Sequence, residues 1–228
     1  MQGFLLVDKP RGISSFKVVA EVRGIIKRET GVRLKVGHSG TLDPQATGLL
    51  IIAIGAYTKR LPEFIKKDKT YTVSMRFGFT STTGDVEGEI TKLSDNPVSK
   101  ASLMSVLRHF TGDIMQVPPV YSAIKVAGQR AYKLARKGQN IKLEPRPITI
   151  NGIELLNYSY PDVDFRTNVS SGTYIRSLVE DIGKKLEVGA YMSGLRRESI
   201  GQFNIDSAVA LKELTYAKIK DRLITLEN

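Results

Sequence analysis

The apolar and polar positions along the chain predict several strands. Residues 3–7 (GFLLV) and 49–55 (LLIIAIG) are almost wholly apolar, and the second run is typical of a strand that is buried on both faces. Residues 70–77 alternate between apolar and polar, as a half-buried strand does, and residues 148–158 and 163–169 resemble a pair of strands. We therefore expect a sheet with a substantial apolar core.

Three further segments carry apolar residues at helical spacing and predict helices at residues 16–28, 99–110 and 173–186. Ser14 or Ser15 is placed to cap the first of them. The apolar positions of this first helix are Phe16, Val19, Ala20, Val22 and Ile26. Because strands outnumber helices and do not alternate with them one for one, the pattern predicts an α+β fold rather than a doubly wound parallel sheet.

The net charge of the chain indicates what kind of partner it binds. The 228 residues include 34 Lys and Arg against 23 Asp and Glu, a formal net charge of +11, which indicates a polyanion such as nucleic acid. Residues 121–150 hold more than half of this excess, in Lys125, Arg130, Lys133, Arg136, Lys137, Lys142 and Arg146. Tyr121 and Tyr132 lie among these cations, a mixture that suits phosphate contact with base stacking; the alternative is a solvated charged segment. Residues 81–96 are acidic and rich in turn formers, and we expect them to be exposed.

Several classes of protein are excluded by what the sequence lacks. There is no cysteine, so a disulfide framework, a thiolate metal site and a thiol nucleophile are ruled out. No GxxxxGK[ST] or GxGxxG motif occurs and no His, Asp and Glu have metal-ligand spacing, so we expect neither a metal nor a nucleotide cofactor. The apolar run is too short for a membrane span, and the N-terminus does not read as an export signal. We therefore expect a cytoplasmic protein without a membrane anchor.

A few side chains are candidates for chemistry. Asp43 lies in a glycine-rich loop, GHSGTLDP, just before the apolar strand, where a carboxylate is rigidly held and partly desolvated; the alternative is a helix N-cap followed by Pro at the first helical position. His38 and Tyr71 have ordinary structural alternatives as a packing residue and a strand aromatic. Arg176 has the alternative of an exposed ion pair with Glu180, one helical turn further on. From composition and spacing alone, the chain is an α+β binder of RNA or DNA with one carboxylate suited to catalysis.

Six motifs extend this interpretation. They are KPRGISS at 9–15, VGHSGTLDPQATGLLIIAIGAYTK at 36–59, KTY at 69–71, VPPVYSAIKVAGQRAYKLARKG at 117–138, SSGTYIRSL at 170–178 and GLRRESIGQF at 194–203. Together they resemble the TruB family of tRNA pseudouridine synthases, in the family's order and along most of the chain. The resemblance implies a pseudouridine synthase fold, with a central mixed, mostly antiparallel sheet flanked by helices, in a single catalytic domain over residues 1–228.

The resemblance also implies the reaction. The family isomerises uridine to pseudouridine at position 55 in the T-loop of tRNA, by base flipping, glycosidic bond cleavage and C1′–C5 rejoining, without metal or cofactor. Asp43, matched onto the GTLDP motif, is implied to be the catalytic nucleophile, attacking either the ribose C1′ or the uracil C6. Arg176 is implied to pair with Asp43 and to lower the pKa of its carboxyl. Tyr71 is implied to stack on the flipped uracil and to assist proton removal.

Other matched positions imply contacts with the substrate. Tyr174 and Leu195 are expected to line the pocket, and His38 to occupy space vacated by flipped bases rather than to act as an acid or base. A basic insertion at about residues 124–150 is expected to clamp the RNA. Within this insertion, Lys125, Arg130 and Lys133 are expected to bind the RNA.

The chain ends soon after the GLRRESIGQF motif. We therefore expect it to lack the small C-terminal PUA domain that bacterial relatives usually add, and to bind the T-arm of tRNA as a monomer. Two alternatives stay open: a non-catalytic RNA-binding or tRNA-folding chaperone that uses the same surface, and the same chemistry on a different RNA. The joint presence of Asp43, Tyr71 and Arg176 favours an enzyme over a chaperone, since a pure binder needs no such set.

Overall fold

The computed structural model describes residues 1–122, 124–126, 128–135, 137–139 and 141–226. Two compact units are distinguished: the first combines Met1–Tyr71 with Leu195–Asn228, and the second is Thr72–Gly194. No helix in the described part of the chain is long and apolar enough to cross a membrane.

The strands are β1 (Gly3–Lys9), β2 (Val36–His38), β3 (Thr47–Ile54), β4 (Lys69–Phe77), β5 (Phe79–Ser81), β6 (Ile90–Lys92), β7 (Gly112–Gln116), β8 (Lys125–Val126), β9 (Gln129–Arg130), β10 (Arg146–Ser159), β11 (Asp162–Val169), β12 (Ala190–Ile200), β13 (Phe203–Asn204) and β14 (Val209–Ala210). The α-helices are α1 (Ser15–Thr30), α2 (Leu61–Ile65), α3 (Lys100–His109), α4 (Ala131–Ala135), α5 (Ile175–Lys185) and α6 (Tyr216–Asp221). Short 3₁₀ helices occupy Gly55–Arg60, Ile205–Ser207 and Leu211–Glu213.

The sheet of the first unit is mixed. Its strands β14, β1, β3 and the end of β12 lie side by side in that order. The β1–β3 pair is antiparallel, whereas β1–β14 and β3–β12 are parallel. Strands β2 and β13 add antiparallel pairs to β3 and β12.

Alternate residues of β1 and β3 enter two separate apolar cores. Leu5 and Val7, with Leu50, Ile52 and Ile54 of β3, pack with α1 and α6. Phe4 and Leu6, with Leu49, Ile51 and Ala53 of β3, pack with Phe64 of α2 and with residues from the end of the chain. The prediction that this strand is buried on both faces is therefore confirmed.

In the second unit, β4, β11, β10 and β7 lie side by side in that order, with antiparallel pairing from β11 through β10 to β7. Helix α3 contacts β10 and α5. Two small antiparallel hairpins, β5–β6 and β8–β9, stand apart from this sheet. The large mixed sheet flanked by helices confirms the predicted α+β class.

The local predictions from sequence hold closely, since the predicted strands and helices end within two residues of the observed ones. Two expectations are wrong. Phe16 and Ala20 are exposed, because the buried stripe of α1 is centred on Val18, Val19, Val22 and Ile26, and both residues lie roughly a quarter turn or more away from it. Asp85 lies in the acidic segment that was expected to be exposed, but it is only 5% exposed.

The predicted insertion at residues 124–150 contains the β8–β9 hairpin and α4. Because β10 begins at Arg146, the end of that range belongs to the sheet rather than to the insertion. The single catalytic domain stays a prediction.

Candidate active site

Asp43 lies in the loop between β2 and β3 and is partly buried. The residue before it is held by helix α1: the hydroxyl of Ser15 accepts a hydrogen bond from the Leu42 N–H at 2.8 Å and donates one to the Leu42 carbonyl at 2.9 Å. Ser15 is buried, so water does not compete for these bonds. Both polar groups of the Leu42 backbone are thereby fixed.

The residue after Asp43 is held by the turn that follows β1. The fully buried Lys9 ammonium donates to the Pro44 carbonyl at 3.1 Å, and also to the carbonyls of Pro10 and Ile13. The Gly12 N–H donates to the same Pro44 oxygen at 2.8 Å. Asp43 is therefore anchored on both sides, and since no helix begins at Pro44, the interpretation of Asp43 as an N-cap is wrong.

His38 ends β2, where it pairs with Ile52 of β3. Its Nδ1 accepts a hydrogen bond from the Gly40 N–H at 3.3 Å, which assigns the ring proton of the neutral imidazole to Nε2. Burial lowers the pKa of His38, and the positive charge of Arg197 lowers it further. The imidazole is therefore neutral at pH 7, and its role in binding stays a prediction.

Arg197 was not among the site residues predicted from the sequence. It lies on β12 and is 1% exposed; its Nε donates to the Leu49 carbonyl at 2.8 Å and its Nη2 to the Gly40 carbonyl at 3.3 Å. A buried guanidinium thus connects β3 with the loop that carries Asp43. The preceding residue, Arg196, makes a two-pronged ion pair with Asp8 at 2.9 and 3.2 Å.

Leu195 is half-buried, and its carbonyl accepts a hydrogen bond from Thr47 at 3.4 Å. Tyr71 is a buried residue of β4. Two residues before Tyr71, on the same face of the strand, Lys69 donates to the carbonyls of Ile65 and Lys67. Burial, assisted by the charge of Arg197, lowers the pKa of Lys69 to about 8.

In the second unit, Arg176 lies at the start of α5 and is only 9% exposed. It donates to the carbonyls of Thr83 and Tyr121, both at 3.0 Å, and its Nε lies 3.5 Å from a carboxylate oxygen of Asp85. The interpretation of Arg176 as an exposed partner of Glu180 is therefore wrong.

Asp85 was missed because it lies in a segment of turn residues. Its carboxylate accepts hydrogen bonds from the Thr83 hydroxyl at 2.6 Å and from the Glu87 N–H at 3.0 Å, which, with Arg176, satisfies a buried charge. The only signal in the sequence is the TxDxE spacing, which favours a local turn of this kind.

Tyr174 immediately precedes α5. Its N–H donates to the side chain of Gln116 at 2.8 Å, and its carbonyl accepts from the same amide at 3.1 Å. Because Gln116 is buried, its two hydrogen bonds fix the backbone of Tyr174. The side chain of Tyr174 is half-buried.

The predicted RNA-binding cations lie on the surface of the second unit. Lys125 and Arg130 are directly paired across the β8–β9 hairpin, and Lys133 is on α4; all three are exposed. Arg136 and the side chain of Tyr132 lie outside the described residues. Within the described ranges, no group of three or more His, Asp or Glu side chains could hold a metal ion.

Comparisons with known proteins place the chain in a family. Residues 27–175 match the family model of the TruB family pseudouridylate synthase N-terminal domain, and residues 176–225 match that of the tRNA pseudouridylate synthase B C-terminal domain. The chain is 44% identical to the tRNA pseudouridine synthase B of Aquifex aeolicus over 93% of this chain and 73% of that protein. It is 42% identical to the protein of the same name from Clostridium kluyveri, over 100% of this chain and 77% of that protein.

A solved structure agrees in fold. A chain in the crystal structure of a Cbf5-Nop10-Gar1 complex superposes with a TM-score of 0.74 at 31% identity, over 96% of this chain and 55% of that one. An α+β fold with a mixed sheet and an anchored carboxylate, together with these matches, defines the class. The chain belongs to the TruB family of pseudouridylate synthases, which are isomerases.

Proposed function

We propose that the chain isomerises uridine to pseudouridine at position 55 in the T-loop of tRNA, with Asp43 as the nucleophile. The observation that carries the proposal is the anchoring of Leu42 and Pro44, which holds Asp43 from both sides beside a doubly buried strand. The proposal for tRNA is supported by relatives at 44% and 42% identity that are named tRNA pseudouridine synthase B.

The reaction is an isomerisation, so its atoms balance without a co-reactant. The N1–C1′ bond breaks, the uracil turns, and a C5–C1′ bond forms; the proton on C5 is lost and N1 gains one. The carboxylate of Asp43 forms a covalent bond to C1′ or to C6 and then leaves, which divides one difficult step into two. A rigid loop suits this role, because a misplaced nucleophile loses much of the advantage of proximity.

The other roles rest on the family resemblance. Arg176 is proposed to meet the Asp43 carboxylate and to keep it ionised. Tyr71 is proposed to stack on the uracil and to assist removal of the C5 or C2′ proton, and Leu195 and Tyr174 to line the pocket. His38, neutral at pH 7, takes the place of flipped bases without exchanging protons.

Binding must offset the cost of extruding the base. Flipping costs a few kcal/mol, and stacking on an aromatic side chain returns about 1–3 kcal/mol per base. These terms nearly cancel, so further contacts with the T-arm have to supply net affinity. We propose that Lys125, Arg130 and Lys133 contact its phosphates.

The test is Asp43→Asn, which keeps the size of the side chain and removes the anion. With tRNA that carries tritium at C5 of its uridines, we expect the wild type to release tritium to water and Asp43→Asn to release none, while tRNA affinity stays close to that of the wild type. Asp206→Asn removes an exposed carboxylate from the same unit and should remain active. Turnover of Asp43→Asn near the wild-type rate would overturn the assignment.

The site within the tRNA is tested separately. A transcript in which uridine 55 is replaced by cytidine should release no tritium, whereas replacement of another loop uridine should leave release unchanged. Release from the position-55 variant at the wild-type rate would show that the chemistry acts elsewhere.

A further inference from the structure

Phe16 is the most exposed large apolar side chain in the described part of the chain, at 67%. The helical pattern assigned it to the core side of α1, but the folded helix turns it to solvent. An aromatic residue that stays two-thirds exposed gains little from folding, because most of its apolar surface remains in water. This exposure indicates that Phe16 contacts a molecule other than its own chain.

Its position relative to Asp43 is fixed by hydrogen bonds. Phe16 directly follows Ser15, whose hydroxyl is bonded to both backbone groups of Leu42, and consecutive Cα atoms are about 3.8 Å apart. The turn before α1 is bonded to Pro44 through Lys9 and Gly12. The segment from Pro10 to Lys17 is thus attached to the residues on both sides of Asp43, and its exposed side chains form a rim beside the loop.

The exposed side chains of this rim are aromatic and cationic. Arg11 and Lys17, which precede and follow Phe16 in the sequence, are both exposed, and no acidic residue occurs between Lys9 and Ala20. The exposed Arg11 is oriented by a hydrogen bond from its Nε to the Gln45 side chain at 2.8 Å. An exposed aromatic ring on a segment that also exposes two cations matches the stacking and phosphate contacts that bind unpaired nucleotides.

We propose that Phe16 stacks on an unpaired nucleobase of the RNA next to the reacting uridine, and that Lys17 and Arg11 contact the flanking phosphates. This inference rests on the proposed function, because it needs an RNA seated at Asp43. The occupant is RNA rather than a protein partner, since every charged residue exposed on the rim is a cation and RNA is a polyanion with unpaired bases that can stack.

The absence of tryptophan from the chain allows a direct test, since Phe16→Trp introduces the sole tryptophan. The matched control is Val32→Trp, which lies just beyond the other end of α1, about 24 Å along a 16-residue helix, and replaces a side chain that is 54% exposed. On titration with a T-arm hairpin, we expect the fluorescence of Phe16→Trp to be quenched by the stacked base and that of Val32→Trp to be unchanged.

Affinity gives a second readout. Loss of a stacking contact should weaken hairpin binding about 5- to 100-fold in Phe16→Ala, and Phe16→Leu should resemble Phe16→Ala, because an aliphatic side chain offers no π-face. Phe16→Tyr should bind as the wild type does. KM should rise more than kcat falls, and the urea midpoints of all variants should stay near that of the wild type because the site is exposed.

The outcomes separate the two proposals. If the wild type releases no tritium from tRNA, the proposed function fails, and this inference falls with it. If the wild type is active but Phe16→Trp is not quenched and Phe16→Ala binds within twofold of the wild type, the stacking role alone is overturned, and a protein partner becomes the better explanation of the exposed ring.

Discussion

At the scale of single residues, the first unit holds three buried cations that donate to backbone carbonyls: Lys9, Lys69 and Arg197. Charged donors make stronger hydrogen bonds than neutral ones, and a buried charge is tolerated only where such bonds are made. Each cation therefore fixes irregular backbone that a neutral side chain would hold less firmly. Lys9 and Arg197 do so for the loop around Asp43.

The lowered pKa of Lys69 predicts a pH dependence of the free energy of unfolding, which can be measured. Its pKa in the folded chain is about 8, below the ordinary 10.5, so between these values the unfolded chain binds more protons than the folded one. The contribution of Lys69 to the free energy of unfolding therefore rises as the pH increases from about 8 to 10.5 and is lost as the pH falls back through this range.

We predict that the difference in unfolding free energy between the wild type and Lys69→Met increases with pH across that window. Urea denaturation at several pH values measures it, and Lys67→Met, which removes an exposed lysine nearby, should show no such increase. A pH-independent difference for Lys69→Met would contradict the lowered pKa.

At the scale of elements, helices α1 and α5 both contain a glycine, but the two glycines have different surroundings. A Cβ at Gly24 of α1 would come no closer than 3.5 Å to any atom, namely the end of the Arg28 side chain. A Cβ at Gly183 of α5 would lie 2.3 Å from the backbone nitrogen of Ala190. The first glycine is dispensable, whereas the second permits the close approach of α5 and the start of β12.

The same substitution should thus have opposite effects in the two helices. Gly24→Ala should raise the free energy of unfolding by about 0.5–1 kcal/mol, because alanine loses less backbone entropy in a helix. Gly183→Ala should lower it by at least about 1–3 kcal/mol, because the backbone must move apart. Urea midpoints give both values, and a loss of stability in Gly24→Ala would refute the packing described for α1.

At the scale of the whole molecule, residues 121–150 hold more than half of the net charge of +11. The exposure of Lys125, Arg130 and Lys133 allows them to reach phosphates without unfolding any part of the sheet. Each phosphate contact contributes about 0.7–0.9 to the slope of log affinity against log salt concentration.

Replacing Lys125, Arg130 and Lys133 together by Gln should therefore lower that slope by about 2 and weaken tRNA binding, with saturated turnover little changed. Filter binding at several salt concentrations measures the slope. The control replaces Lys212, Lys220 and Arg222, three exposed cations of the first unit, and removes the same charge. An equal change in both variants would mean that net charge alone governs binding.

The elements of the fold were predictable because they depend on near neighbours in the sequence. The continuous apolar run of β3 indicates a strand buried on both faces, and the alternation in β4 indicates a strand buried on one face. The apolar residues of α1 and α3 recur with the period of about 3.6 residues that is typical of a helix. The motif around Asp43 was recognisable for the same reason, since its residues are contiguous. By itself, the sequence determined the strands, the helices, the basic charge and the family.

Only the tertiary structure decided the surroundings of these residues. Arg197 donates to the carbonyl of Leu49, 148 residues away in sequence, and Arg176 pairs with Asp85, 91 residues away (176 − 85). Phe16 was assigned to the core by its spacing, yet the stripe that α1 buries is set by where β1, β3 and α6 lie. Whether a cation such as Arg197 is buried, or a ring such as Phe16 is exposed, depends on segments that are far apart in the sequence. The spacing of apolar residues within one segment does not show which other segments pack against it.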